Sequence, residues 1–320
     1  MLFLITVKII HGEYAKQIGA KVLECSISVT SKGEVLEYAF SQLKGQYDAY
    51  TIFDADNVVD SHFLEKMNDA YHAGYQIAQG YRESKNGKDT WVSNSYAIYH
   101  WIQNLFLNQA RKNCKMSAYI TGTGFMVSNH IIEKYGFHTT TMTEDMELTI
   151  QYHLQNEKVT FIHEAITYDE QPITFQQSIK QRKRWSAGTI QCLKNYGKHL
   201  KNHPTKESFD TIMLLILPII QIITTVVWIL QAILNYLVFH TVPIIPVITG
   251  IITSNLIALL IVVLQRKSIT ENIKGIITFP IFVFSWIFIN IASIIKPDKT
   301  WEPIQHTRII NIEAINQSIN

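Results

Sequence analysis

Apolar and polar positions divide the chain into two unlike halves. Up to about residue 205, short apolar runs alternate with stretches of helical spacing, the pattern of an α/β layered domain. AYTIF (49–53) predicts a compact strand. SHFLEKMNDAYHAG carries Phe63, Leu64, Met67, Ala70 and Tyr71 at helical spacing, with Ser61 placed to cap the helix and Gly74 to end it. YQIAQGY (75–81) alternates like a strand, and ESKNGKD reads as a turn-rich loop. The pattern then predicts an aromatic-heavy helix over 96–110, a strand over 119–127, a helix from near Glu144 and a strand over 159–168. Thr174 and Gln177 have capping-box spacing, so a helix starts there and runs through QRKRW (181–185). MLFLITVKII, the first ten residues, is too short to cross a bilayer and reads as a buried strand or a disordered start.

The second half changes character. Residues 211–239 and 242–264 carry no charge, and 275–295 is a third apolar run; each is long enough for a membrane span. Lys194, Lys198, Lys201 and Lys206 precede the first run, and Arg266, Lys267 and Lys274 lie between the second and third. Such flanks favour the cytoplasm, so the first two runs form a hairpin and the α/β domain is cytosolic. Lys296, Lys299 and Arg308 place the tail on the same side, whereas three crossings would place it opposite. The third run, which contains Pro280, is therefore read either as a span or as an interfacial or re-entrant segment. The expected division is 1–205, a transmembrane region over 209–296, and a polar tail over 297–320.

Composition sharpens this picture. Hydrophobic residues make up 47% and charged residues 17% of the chain, too oily for an ordinary soluble protein and too charged for a pure membrane bundle. A net charge of +2, with no basic stripe interleaved with aromatics, argues against a nucleic-acid partner. Cys25, Cys114 and Cys192 are odd in number and lack metal-ligand spacing, and so read as reduced thiols.

Four short stretches could carry chemistry. FDADN (53–57) puts Asp54 and Asp56 at the carboxyl end of a strand, where open α/β sheets bind ligands. Two carboxylates there could hold Mg²⁺ or Mn²⁺ together with phosphate oxygens, or merely close an acidic turn. In TMTED (141–145), Glu144 and Asp145 either complement a helix dipole or supply a general base. The glycines of TGTGF (121–125) mark a bend or the close approach of a ligand. On a helix, Gln181, Arg184 and Trp185 share a face while Arg182 and Lys183 point elsewhere. An amide, a guanidinium and an indole side by side suit a sugar and an anionic leaving group better than they suit a solvated charge run.

The order DAD, TED, QRKRW resembles the processive, membrane-embedded branch of glycosyltransferase family 2, which includes cellulose, chitin, hyaluronan and poly-N-acetylglucosamine synthases. YDEQPITF (168–175) and WEPIQHTR (301–308) are also similar to bacterial members. The resemblance implies a GT-A-like, Rossmann-like α/β domain followed by transmembrane helices, in a bacterial cell membrane with the catalytic domain cytoplasmic. It implies a nucleotide-sugar donor, expected to be a UDP-sugar, and a polysaccharide or lipid-linked acceptor, and it leaves room for an accessory membrane subunit. Asp54 and Asp56 then hold the diphosphate and its Mg²⁺ or Mn²⁺, with Lys32 and Arg184 on the diphosphate. Asp145 becomes the base beside Glu144, and Gln181, Trp185, Thr143 and Gly122 form the acceptor side. The reaction is an inverting single displacement.

One part of the family pattern is unmatched. The opening strand–helix–strand unit, with its nucleobase-binding Asp, has no counterpart, and GEYAKQIGAKV (12–22) is similar to the segment that follows that unit. The expectation is an N-terminally truncated domain whose missing strand MLFLITVKII partly replaces. The alternative reading is a degenerate transferase that binds nucleotide or a partner without turnover.

Overall fold

The computed structural model describes residues 3–6, 13, 15–17 and 19–296. WEPIQHTR lies outside them. Strand β1 (Phe3–Thr6) pairs in parallel with β2 (Lys21–Glu24) as a separate two-stranded sheet. Phe3–Thr6, the described part of MLFLITVKII, therefore lies outside the main sheet, contrary to the expectation. Helix α1 (Lys32–Leu43) follows, capped by the Ser31 side chain on the Glu34 N–H.

The main sheet is mixed and five-stranded. It contains β3 (Ala49–Ile52), β4 (Val58–Val59), β5 (Ile77–Ser84), β6 (Phe125–Ser128) and β7 (Val159–Asp169), in the order β3-β6-β5-β7-β4. β5 and β7 run parallel in the middle, so Ile77, Ala78 and Phe161 are fully buried. Helix α2 (Phe63–His72) packs on one face and α3 (Trp91–Ile102) on the other. A π-helical stretch, Gln103–Gln109, continues α3 into α4 (Ala110–Asn113). Helices α5 (Asn129–Tyr135), α6 (Glu144–Leu154) and α7 (Phe175–Asn202) complete this half.

Several boundaries differ from the sequence pattern, each for a local reason. The strand expected over 119–127 exists only as β6, because Gly122 and Gly124 take φ of +89° and +62°, which an extended strand does not use. α2 starts one residue after His62 with no side-chain cap; Asp60 accepts the His62 N–H at 2.8 Å where Ser61 was expected to cap. β5 runs on into the expected loop because Tyr81–Ser84 pair with Ile166–Asp169 of β7. α3 begins at Trp91, earlier than the apolar spacing predicts, because Thr90 and Ser93 form a capping box. The Thr174–Gln177 box is present as expected.

Three helices follow, α8 (Lys206–Phe239), α9 (Ile245–Leu264) and α10 (Ile269–Ile295), each long and apolar enough to cross a membrane. α10 is unbroken through Pro280, so it contains no re-entrant turn. They differ in how closely they hold the α/β half: the most apolar stretch of α8 is 6% buried, that of α10 39%. Ala258, Ile261, Val262, Ile276, Phe279 and Phe282 join the same hydrophobic core as β5 and α3. α8 is anchored in its second turn, where Arg111 grips both Asp210 oxygens at 2.7 and 2.9 Å and Thr211 meets Tyr119 and His153.

Candidate active site

The DAD and TED motifs meet at the carboxyl end of β3, and α1 is the element that joins them. A Cβ on Gly33 would overlap the Thr139 hydroxyl, so only glycine lets α1 dock against the loop leading to TED. That docking carries Lys32 into the centre. Its Nζ lies 2.5 Å from Asp54 Oδ1, 2.6 Å from the Gly122 carbonyl and 3.8 Å from Glu144 Oε1. Burial opposes the ammonium, but Asp54, Glu144 and Asp145 outweigh it and raise its pKa.

Asp145 sits in the first turn of α6, where its Oδ1 accepts the Met146 N–H at 2.8 Å. Its pKa is raised to about 6, mainly by burial and then by Glu144, against the pull of the Met146 N–H, Lys32 and Arg82. Gly122 passes so close that a Cβ there would stand 3.3 Å from Asp145 Oδ2. The TGTG segment is thus a close-approach glycine site beside a carboxylate. The preceding loop is shaped by buried Glu147, which accepts the Thr140 and Thr141 N–H groups and the Tyr196 hydroxyl, each at 2.7 Å.

Helix α7 closes the other side. A Cβ on Gly188 would overlap Thr143, and Gln191 Oε1 accepts the Met142 N–H at 2.8 Å, so the TED loop rests directly on the QRKRW helix. Trp185 stacks on Tyr99 of α3, with centroids 6.1 Å apart and planes at 18°. Burial pushes the Tyr99 hydroxyl up to about 12, opposed by Arg182 and Arg82, with Asp145 adding to the rise. Gln181 Oε1 and Arg184 Nε are buried atoms with no hydrogen-bond partner among the described residues. Ser178 Oγ and Arg182 Nη2 of the same helix are likewise without a partner among the described residues.

Asp56 lies in the same loop as Asp54, its carbonyl accepting from Lys85 Nζ at 2.8 Å. Among the described residues no three ligating side chains gather. Asp54 and Asp56 are hard oxygen donors of the kind a divalent cation takes, with Asp54 Oδ1 accepting from Lys32.

A model of the family described as "Glycosyl transferase family group 2" matches residues 51–292, about three quarters of the chain. The chain belongs to this family. Its α/β half is the GT-A-like domain expected of a family 2 glycosyltransferase, here followed by three long apolar helices. The chain is also 27% identical over 165 residues to the probable glycosyltransferase YdaM of Bacillus subtilis (strain 168), an alignment covering 49% of this chain and 38% of that protein. Among solved structures, it is similar at 14% identity and a TM-score of 0.37 to glucosyl-3-phosphoglycerate synthase from Mycobacterium tuberculosis, crystallised with Mn²⁺ and UDP-glucose. That match covers 54% of this chain and 60% of the synthase.

The site of this family 2 chain also contains residues that its sequence did not single out. Tyr99 is one. Arg182 is another: within QRKRW it is fully buried, donating from Nη1 to the Phe282 carbonyl and to Ser285, both at 2.8 Å, with its guanidinium 4.2 Å over the Phe282 ring. Arg82 and Lys85 near the end of β5, paired with Asp169 and Glu170, lie next to the DAD loop. The signal available was two cations on one strand end and two acids on the next. Reading it requires the β5–β7 register.

Proposed function

We propose that the protein transfers a sugar from a nucleoside-diphosphate sugar, expected to be a UDP-sugar, to a growing polysaccharide or lipid-linked acceptor at a cell membrane, with inversion at the anomeric carbon. The observation that carries this reading is the position of Lys32, whose ammonium draws Asp54, Gly122 and Glu144 into one charged cluster beside Asp145. A nucleotide-binding loop and a buried base in one cluster are what a single displacement needs.

Asp145 takes the proton of an acceptor hydroxyl. The hydroxyl oxygen attacks the anomeric carbon, and the bond to the diphosphate oxygen breaks with its electron pair leaving on the nucleoside diphosphate. Lys32 and Arg184 would hold the diphosphate oxygens, where their charge counters that of the leaving group. Asp54 and Asp56 would hold Mg²⁺ or Mn²⁺, which supplies Lewis-acid stabilisation to the same group. Gln181, Trp185, Thr143 and Gly122 would form the acceptor side, with the indole covering sugar C–H groups.

The catalytic half would lie on the cytoplasmic face. The basic turn after α9 supports this, because Lys267 donates to Glu83 at 2.8 Å and Gln265 accepts from Tyr81 at 2.8 Å, which puts that turn on the side of β5. The exposed sides of α8 would face lipid or an accessory membrane subunit. The test is label transfer from a panel of radiolabelled nucleotide sugars in membranes containing the protein or Asp145→Asn. Incorporation lost in the variant is the expected result; equal incorporation would remove Asp145 from the chemistry.

A further inference from the structure

The DAD–TED–QRKRW order leaves Arg82, near the end of β5, without an assigned role. Its Nε donates to Asp169 Oδ2 at 2.8 Å, and its Nη2 donates to the same oxygen. Its Nη1 donates to the Thr121 carbonyl at 3.1 Å. Asp169 is held in turn by Asn57 Nδ2 at 3.2 Å and Gln171 Nε2 at 3.3 Å. Both side chains are close to buried, at 14% and 7% exposure. Burial would raise the Asp169 carboxyl, but Arg82 against it keeps it below the ordinary range.

Two consecutive carbonyls of the glycine segment are therefore each held by a cation: Thr121 by Arg82 and Gly122 by Lys32. This segment has no strand pairing of its own, because Gly122 is in the left-handed region. Gly122 is also the residue that lies against Asp145. The charge of Arg82 is felt by both Asp54 and Asp145. Three of its five N–H donors already have acceptors within the protein, and both atoms of its grip on Asp169 are committed.

We propose that Arg82, oriented by Asp169, is a positioning residue for sugar transfer, fixing the Thr121–Gly122 segment against Asp145 and keeping a permanent positive charge beside both acids. This rests on the transfer function proposed above. Asn57 extends the brace, since its Oδ1 accepts the Asp54 N–H at 3.2 Å while its Nδ2 holds Asp169. The pair thus touches the DAD loop only through Asn57, whereas the Asp54 carboxylate itself is held by Lys32. Such a residue acts on the chemical step and leaves donor binding nearly untouched.

The test compares Arg82→Lys and the double variant Arg82→Gln/Asp169→Asn with the parent, as full chains in detergent. The double change removes the buried charges together and leaves neither unpaired. With the nucleotide sugar that labels product, the double variant is expected to lose about thirtyfold or more in kcat. Its donor KM, and its affinity for UDP measured with Mn²⁺, should stay within about threefold of the parent. Arg82→Lys, which keeps the charge but not the two-pronged grip, should recover most of that loss while remaining below the parent. A double variant with parental kcat, or one that loses UDP affinity in step with kcat, overturns the proposal. If the double variant gives no cooperative melt, Arg82→Lys decides alone, and parental kcat there overturns it. Asp145→Asn is run alongside: its turnover at the parental rate would instead overturn the transfer reading itself.

Discussion

At the scale of single residues, the proposed chemistry depends on how Asp145 is charged. A carboxylate acts as a base only when ionised, so kcat/KM should fall about tenfold per pH unit below the pKa of the base. With that carboxyl raised to about 6, the acid limb should lie near pH 6. Glu144 contributes to the rise, so Glu144→Gln should lower the Asp145 pKa and move the limb to lower pH. Lys32→Gln removes a cation that lowers it and should move the limb the other way. A pH–rate profile of the two variants checks both signs. Asp54, Asp145 and Trp185 stand out in the sequence because they sit in short, ordered motifs. Arg82 and Asp169 do not: their pairing follows from a register that sets Arg82 opposite Thr167 and Ser84 opposite Asp169, and neither strand states its register by itself.

Among the elements, α7 couples the motifs. It carries QRKRW on one stretch, and Gly188, Gln191 and Cys192 hold the TED loop a turn further on. Gly188→Ala should force Thr143 aside, at a cost of about 1–3 kcal/mol. A lower thermal midpoint together with reduced turnover is the expected outcome; an unchanged midpoint would show that the loop yields without strain. The helices and strands themselves were largely legible, since Thr174 with Gln177 and the spacing around Met67 are local signals. The strand expected over 119–127 failed for a tertiary reason. Two left-handed glycines bend the chain toward Asp145 before β6 begins. Arg182 points away from the Gln181–Trp185 face as the spacing predicts, but its burial depends on α10, about a hundred residues later.

Across the whole molecule, the apolar helices are more than an anchor. α9 and α10 complete the core beneath β5 and α3, while α8 is fixed by Arg111, Tyr119 and His153. The hydrophobic run lengths gave the three helices directly; their packing onto the α/β half was hidden, because lipid-facing and core-facing apolar residues look alike in sequence. If the turn after α9 lies on the catalytic side and the turn after α8 opposite, their labelling should differ. With Cys25 and Cys114 replaced by Ser, Thr270→Cys should react with an impermeant maleimide from the catalytic side. Thr241→Cys should react only from the other side, and identical sidedness would contradict the hairpin. The central claim is that one displacement occurs at a single cluster of Asp54, Lys32, Asp145 and α7. Nuclear magnetic resonance of the product linkage formed from an α-linked nucleotide sugar tests it most directly. A β linkage is the result predicted, and an α linkage would contradict it.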